Sequence, residues 1–178
     1  MKAGVTLGLG LRVTSPLVAA QDDPASVRPK EGDLLIRAGD ATKTPLTPDD
    51  IPLRGRQTMA WAVEPVEKIV RNGSRLNQVL LLRLDPETLS AETRSRAAGG
   101  VVAYTAICTH NGCDVGEWLD AEQQLSCACH DSIFDPRDGA KVIDGPAPRA
   151  LPALPLKVVD GKLVVAKPFT TRVGFEPS

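Results

Sequence analysis

All four cysteines and both histidines of this 178-residue chain lie between Cys108 and His130. They form two short clusters. The first reads Cys108-Thr109-His110-Asn111-Gly112-Cys113 and the second Cys127-Ala128-Cys129-His130, with sixteen residues separating His110 from Cys127. This grouping constrains the fold more than any hydrophobic pattern does, because two loops must close on one site. Two Cys–His pairs, Cys108/His110 and Cys127/His130, could hold one tetrahedral metal or one binuclear cluster. Cys113 and Cys129, one in each loop, are then left over and free to bond to each other. A structural zinc site would account for four of the six residues and leave two cysteines idle.

The spacing Cys-x-His-x16-Cys-x-x-His resembles the Rieske iron–sulfur proteins, whose 2Fe–2S centre has two thiolates on one iron and two imidazoles on the other. The resemblance implies one 2Fe–2S cluster, with Cys108 and Cys127 on the buried iron and His110 and His130 on the outer one. It implies a disulfide between Cys113 and Cys129, the bond that ties the two loops together in the quinol-oxidising, respiratory branch. Three flanking features extend the match. Ser132 stands where that branch places a serine hydrogen-bonded to a bridging sulfide. Phe134-Asp135 stands where many members have Tyr-Asp. Gly145-Pro146-Ala147-Pro148 matches a proline-rich loop that covers the cluster from a third side, so Pro146 and Pro148 are read as a rigid lid. The resemblance is closest over about 101–165 and weaker before that. The implied fold is mostly β: antiparallel sheets, a small cluster-binding subdomain at about 105–150, and one short helical insertion.

The length suits a single domain with a real core. Basic and acidic residues nearly balance, at 21 and 22. No basic stripe argues for nucleic acid or for an anionic membrane surface. Gly and Pro number fifteen each and aromatics make up 3%, a mix that favours a turn-rich β fold. A Cys113–Cys129 disulfide would need an oxidising compartment. The N-terminus is consistent with export: Lys2, an apolar stretch over 3–11, then Val18-Ala19-Ala20 as a cleavage site. Arg12, Thr14, Ser15 and Pro16 interrupt that stretch, so a spanning helix is not expected. Residues 1–20 are read as the remnant of a twin-arginine signal or a plain tail, 21–31 as a linker, and 32–178 as the Rieske domain.

Along the chain, Leu34-Leu35-Ile36 suggests a first strand, 38–56 a long proline-bearing loop, and Thr58 to Val63 a second strand. Asn72-Gly73-Ser74 is a turn before the strand over 78–84. Asp85-Pro86-Glu87 starts a helical segment with an acidic cap and proline at the first position. That segment runs in one or two pieces to Ala98 and stops at Gly99-Gly100. Val101 to Ala106 delivers Cys108, and Gln123 to Ser126 delivers Cys127. Strands at 133–134 and 141–143 continue the small sheet. Asp160-Gly161, between two apolar strands at 154–159 and 162–165, is the strongest hairpin signal in the chain.

The chemistry of such a centre follows from its ligands. Neutral imidazoles in place of two thiolates remove negative charge from one iron, which raises the potential to about −150 to +300 mV. A ligating imidazole also carries a second nitrogen that can hold a proton, so electron and proton uptake favour one another. Quinol, which loses both, is a natural donor, and His130, with His110 beside it, is the expected contact. Phe134 cannot donate the hydrogen bond that a tyrosine would give to a ligating sulfur, and Asp131 adds negative charge, so a lower potential is expected. Asn111, where leucine is common, makes the docking tip polar. Trp61 and Trp118 read as packing residues.

The resemblance implies one-electron transfer without independent catalysis. The first reading is the Rieske subunit of a quinol–cytochrome c reductase of the cytochrome bc type. Its partners would be cytochrome b and a c-type cytochrome, on the periplasmic side of a membrane touched only through a partner or an absent anchor. The alternative is the small Rieske subunit of a periplasmic molybdenum oxidase of the arsenite oxidase kind, held by a large molybdopterin subunit. A ferredoxin serving an oxygenase and a structural zinc module complete the field.

Overall fold

The computed structural model describes Met1 and residues 23–175; the export reading of 1–20, Met1 apart, lies outside the described residues. In chain order the strands are β1 (Leu34–Arg37), β2 (Thr58–Val63), β3 (Val79–Arg83), β4 (Val101–Thr105), β5 (Glu117–Leu119), β6 (Gln124–Cys127), β7 (Ser132–Asp135), β8 (Lys141–Asp144), β9 (Leu156–Val159) and β10 (Lys162–Val165). One α-helix, α1 (Ala91–Arg96), lies between β3 and β4. The mostly β expectation is borne out.

Six strands form one antiparallel sheet in the order β4-β3-β2-β1-β10-β9, and four form a second in the order β5-β6-β7-β8. The larger sheet curls until the segment leading into β9 hydrogen-bonds β4. Thr105 N donates to Pro152 O at 3.0 Å and Leu154 N to Ala103 O at 2.9 Å. β3 and β4 are apolar along most of their length because both faces are covered. Leu81 and Ala103 point into the barrel, among Leu35, Ala60, Leu154 and Leu163. The alternate residues Leu80, Leu82, Val102 and Tyr104 point the other way, onto Cys108, Leu125, Cys127 and Phe134 of the smaller region. One pair of strands therefore serves two cores.

The β9–β10 hairpin turns on Asp160 and Gly161, both at positive φ (49° and 75°), as a two-residue type I′ loop requires. The helical segment comes in two pieces: a 3₁₀ turn at Pro86–Thr88 capped by Asp85, then α1 capped by Ser90. Residues 23–31 are strapped to the barrel over their length. Asn77 Nδ2 donates to Val27 O at 2.9 Å, Arg28 Nη1 donates to Asn77 Oδ1 at 3.0 Å, and Gly73 N donates to Ala25 O at 3.0 Å. The buried pair Arg71–Asp33, bidentate at 2.5 and 2.9 Å, sits under this strap.

Candidate metal centre

β4 delivers the first loop directly. Beyond its end, Cys108 N donates to Cys113 O at 2.8 Å and Gly112 N to Cys108 O at 3.1 Å, closing a tight turn in which Gly112 takes φ 73°. β6 delivers the second loop. Cys127 pairs with Ser132 across the β6–β7 hairpin, so the four residues Ala128 to Asp131 form its tip. Asp131 holds φ 56°, a conformation that aspartate tolerates better than most residues but that glycine adopts freely.

Cys108 and Cys127 are free thiols, each 1% exposed. Burial pushes the Cys127 thiol up to about 11; a hydrogen bond with Cys108 acts in the same direction, and one from the Cys129 backbone opposes it. Both thiols therefore belong to one apolar pocket. His110 and His130 meet edge to face with ring centroids 4.6 Å apart. His130 is exposed and His110 half-buried. The structure joins Cys113 to Cys129 in a disulfide, as the family resemblance implies, and the Cys127 sulfur lies within 4.8 Å of both disulfide sulfurs. Those two sulfurs are already committed, so thiolate ligands can come only from Cys108 and Cys127.

The residues present fit a mixed thiolate–imidazole group. His110 Nδ1 is buried with no hydrogen-bond partner. An unpaired buried polar atom costs about 1–3 kcal/mol, a cost that is removed if the nitrogen binds a metal. Two buried sulfurs on one side and two imidazoles on the other are the donor set of a Rieske centre.

The proline loop closes the third side. Ala147 N donates to Ser132 Oγ at 3.1 Å, which uses the hydroxyl as an acceptor and leaves its own proton to be donated elsewhere. Gly145 (φ 86°) lies so close to the second loop that an added Cβ would fall 2.5 Å from Ser132 Cα. Pro146 and Pro148 are exposed on the outer side of this loop. Phe134 is fully buried in the core that holds both free cysteines. Asn111 is exposed at the tip, while Trp118 packs half-buried against the same core.

Sequence reasoning missed several supports. Thr109 Oγ1 donates to Arg149 O at 2.6 Å, tying the first loop to the proline loop. Arg75 donates to Gly112 O at 2.7 Å and pairs with Asp114 at 2.5 Å. The Phe175 ring lies 3.2 Å from where a Gly112 Cβ would stand. Thr109 was visible inside the motif, but its partner forty residues away had no local signal.

A family model described as the Rieske [2Fe-2S] domain matches residues 75–155. The chain is 34% identical over 148 residues to a protein from Streptomyces lividans named cytochrome bc1 complex Rieske iron-sulfur subunit, covering 81% of this chain and 85% of that one. A protein of the same name from Streptomyces coelicolor is also 34% identical over 148 residues, here 41% of its length. A putative respiratory nitrate reductase subunit Rieske from Haloferax mediterranei is 39% identical over 106 residues, 58% of this chain and 47% of that one. The chain thus spans less than half of the last two relatives. It belongs to the Rieske [2Fe–2S] family, and its cofactor is a 2Fe–2S cluster.

Proposed function

We propose that this chain is the Rieske electron-transfer subunit of a cytochrome bc-type quinol–cytochrome c reductase, taking one electron from quinol and passing it to a c-type cytochrome. The observation that carries this is the joining of the two cluster loops by the Cys113–Cys129 bond beside two buried thiols and two imidazoles that meet edge to face. The names of the Streptomyces relatives support the bc-type assignment. Cys108 and Cys127 would hold one iron and His110 and His130 the other. When bound, the cluster supplies a reversible one-electron couple. The chain does the rest. The apolar pocket around Cys108 and Cys127 excludes water. Ser132, fixed by Ala147 N, offers a hydroxyl proton toward the cluster. His130, exposed at the tip, presents an imidazole edge that can accept a hydrogen bond and a proton from a quinol hydroxyl.

Residues 32–178 would form the Rieske domain, with the cluster-binding subdomain over about 105–150. The disulfide supports an oxidising compartment, hence the periplasmic side of the membrane and export by the twin-arginine route. Among the described residues no helix is long and apolar enough to cross a membrane.

A second reading, the small Rieske subunit of a periplasmic molybdenum oxidase, is favoured by Phe134, and the relative named as a nitrate reductase subunit is compatible with it. Purification of the native complex decides between the two. Copurifying b- and c-type haem, with cytochrome c reduction blocked by quinol-site inhibitors, is the expected result. A copurifying molybdopterin subunit and no inhibitor response would transfer the assignment to the second reading.

A further inference from the structure

The two regions differ in charge as sharply as in packing. Residues 106–148 hold eight acidic and two basic residues, while the rest of the chain holds fourteen acidic and nineteen basic. From 106 to 136 there is no lysine or arginine. The two basic residues of the small region stand at the end of its sheet away from the cluster loops, and each is already paired: Arg137 with Asp135 and Lys141 with Asp138. At the loop end, Asp114 is paired with Arg75. Glu117, Asp131 and Asp144 are exposed there, and none of the three has an ion-pair partner among the described residues. Glu117 stands opposite Ser126, one residue before Cys127; Asp131 follows His130; Asp144 stands opposite Ile133. All three lie at the end of the small sheet that carries the exposed His130, the point at which an electron must enter or leave. Independently of these charges, Phe175 offers an aromatic ring, 46% exposed, beside the first loop. Its segment is held by a hydrogen bond from Arg149 Nη2 to Gly174 O at 2.7 Å.

We propose that this loop end is a docking face for a cationic redox protein, one whose own centre is reached through a rim of lysine or arginine side chains. The proposal rests on the electron-transfer reading above and names the chemistry of its acceptor. The carboxylates at this end outnumber the exposed Arg56, whose Nη2 donates to Gly116 O at 3.1 Å, and their field steers such a partner to the one point where the two centres can approach, and raises its rate of encounter. Phe175 supplies a ring face for one of the partner's cations. A quinol carries no charge and does not sense this field, so salt dependence belongs to the protein-acceptor step alone.

The test measures equilibrium binding of the oxidised, cluster-loaded protein to two soluble c-type cytochromes of opposite net charge, at low and high ionic strength, with stopped-flow electron transfer alongside. The cationic cytochrome is expected to bind at least about tenfold more tightly than the acidic one at low salt, and to lose that advantage at high salt. Glu117→Lys with Asp144→Lys should abolish the preference. The control Lys162→Glu, on exposed β10, should leave it intact, and Phe175→Leu should weaken binding about threefold. Equal binding of the two cytochromes, a preference indifferent to salt, or equal effects of the paired reversal and the control would overturn the proposal. The functional reading is judged separately, by the EPR signal and midpoint of the same sample. A normal Rieske signal with no charge preference sinks only the docking face.

Discussion

The six-stranded barrel and the four-stranded cluster sheet are both antiparallel, yet they are held together by different means. The barrel is held by burial: alternate residues of six strands fill one interior, and its hydrogen bonds close the sheet on itself. The small sheet has no enclosed interior of its own. It borrows the outer face of β3 and β4, and its functional end is fixed by one disulfide and by the contacts of the proline loop with both cluster loops. Such a region can hold strained turns and buried polar atoms because the barrel does not depend on it. The difference suggests that perturbations of the loops should empty the site while leaving the barrel folded.

The largest expected effect comes from the ligands. Cys108→Ser or Cys127→Ser should abolish cluster binding, leaving a colourless protein whose far-ultraviolet circular dichroism still reports the barrel. Collapse of the whole β spectrum would contradict the independence of the two regions. Next is the disulfide. Cys113→Ser with Cys129→Ser opens a loop of sequence separation 16 and should cost about 3 kcal/mol. That cost should appear in cluster loss on heating rather than in barrel unfolding, so equal shifts in the two transitions would argue against a local role.

Tyr104 is the bridge between the regions, and the only tyrosine in the chain. Its hydroxyl donates to Pro136 O at 2.7 Å, and burial pushes its pKa well above the ordinary tyrosine value. The folded protein therefore keeps this proton where the unfolded chain begins to release it. Stability is fully present below pH about 10 and falls as pH rises beyond it toward the folded pKa. Tyrosinate absorbance in an alkaline titration should appear only together with unfolding; its appearance in a folded barrel would show the bridge to be open. Tyr104→Phe should cost about 1 kcal/mol.

The smallest effect is electronic. Phe134→Tyr adds a donor to the core that holds the proposed ligands Cys108 and Cys127. One net hydrogen bond is worth about 1 kcal/mol, and a tenfold change in a one-electron equilibrium corresponds to about 59 mV, so the midpoint should rise by about 40 mV. An unchanged midpoint would show that the ring does not face the sulfurs.

Much of this architecture was legible in the chain. β2 coincides with the alternating run at 58–63, and Asp160-Gly161 marked its hairpin, because both signals are local. The six cysteine and histidine positions marked the site, since no common structural role explains their grouping. β5 escaped notice: three residues, Glu117-Trp118-Leu119, none of them fully buried, carry too little periodicity to be read. Residues 23–31 look like a linker because they are polar and contain prolines, but Asn77 and Arg71 hold them to the barrel from fifty residues away. The supports of the cluster loops, Arg149 beneath Thr109 and Phe175 beside Gly112, were hidden for the same reason. Contacts between distant segments leave no pattern within either one.

The most direct measurement is an EPR spectrum of the dithionite-reduced protein, with the redox titration repeated across pH. A rhombic signal whose average g is that of mixed histidine–cysteine ligation is expected, with a midpoint that falls as pH rises through the range in which the iron-bound imidazoles lose protons. A silent spectrum from metal-loaded protein, or a midpoint indifferent to pH, would contradict a histidine-ligated 2Fe–2S centre at Cys108, His110, Cys127 and His130.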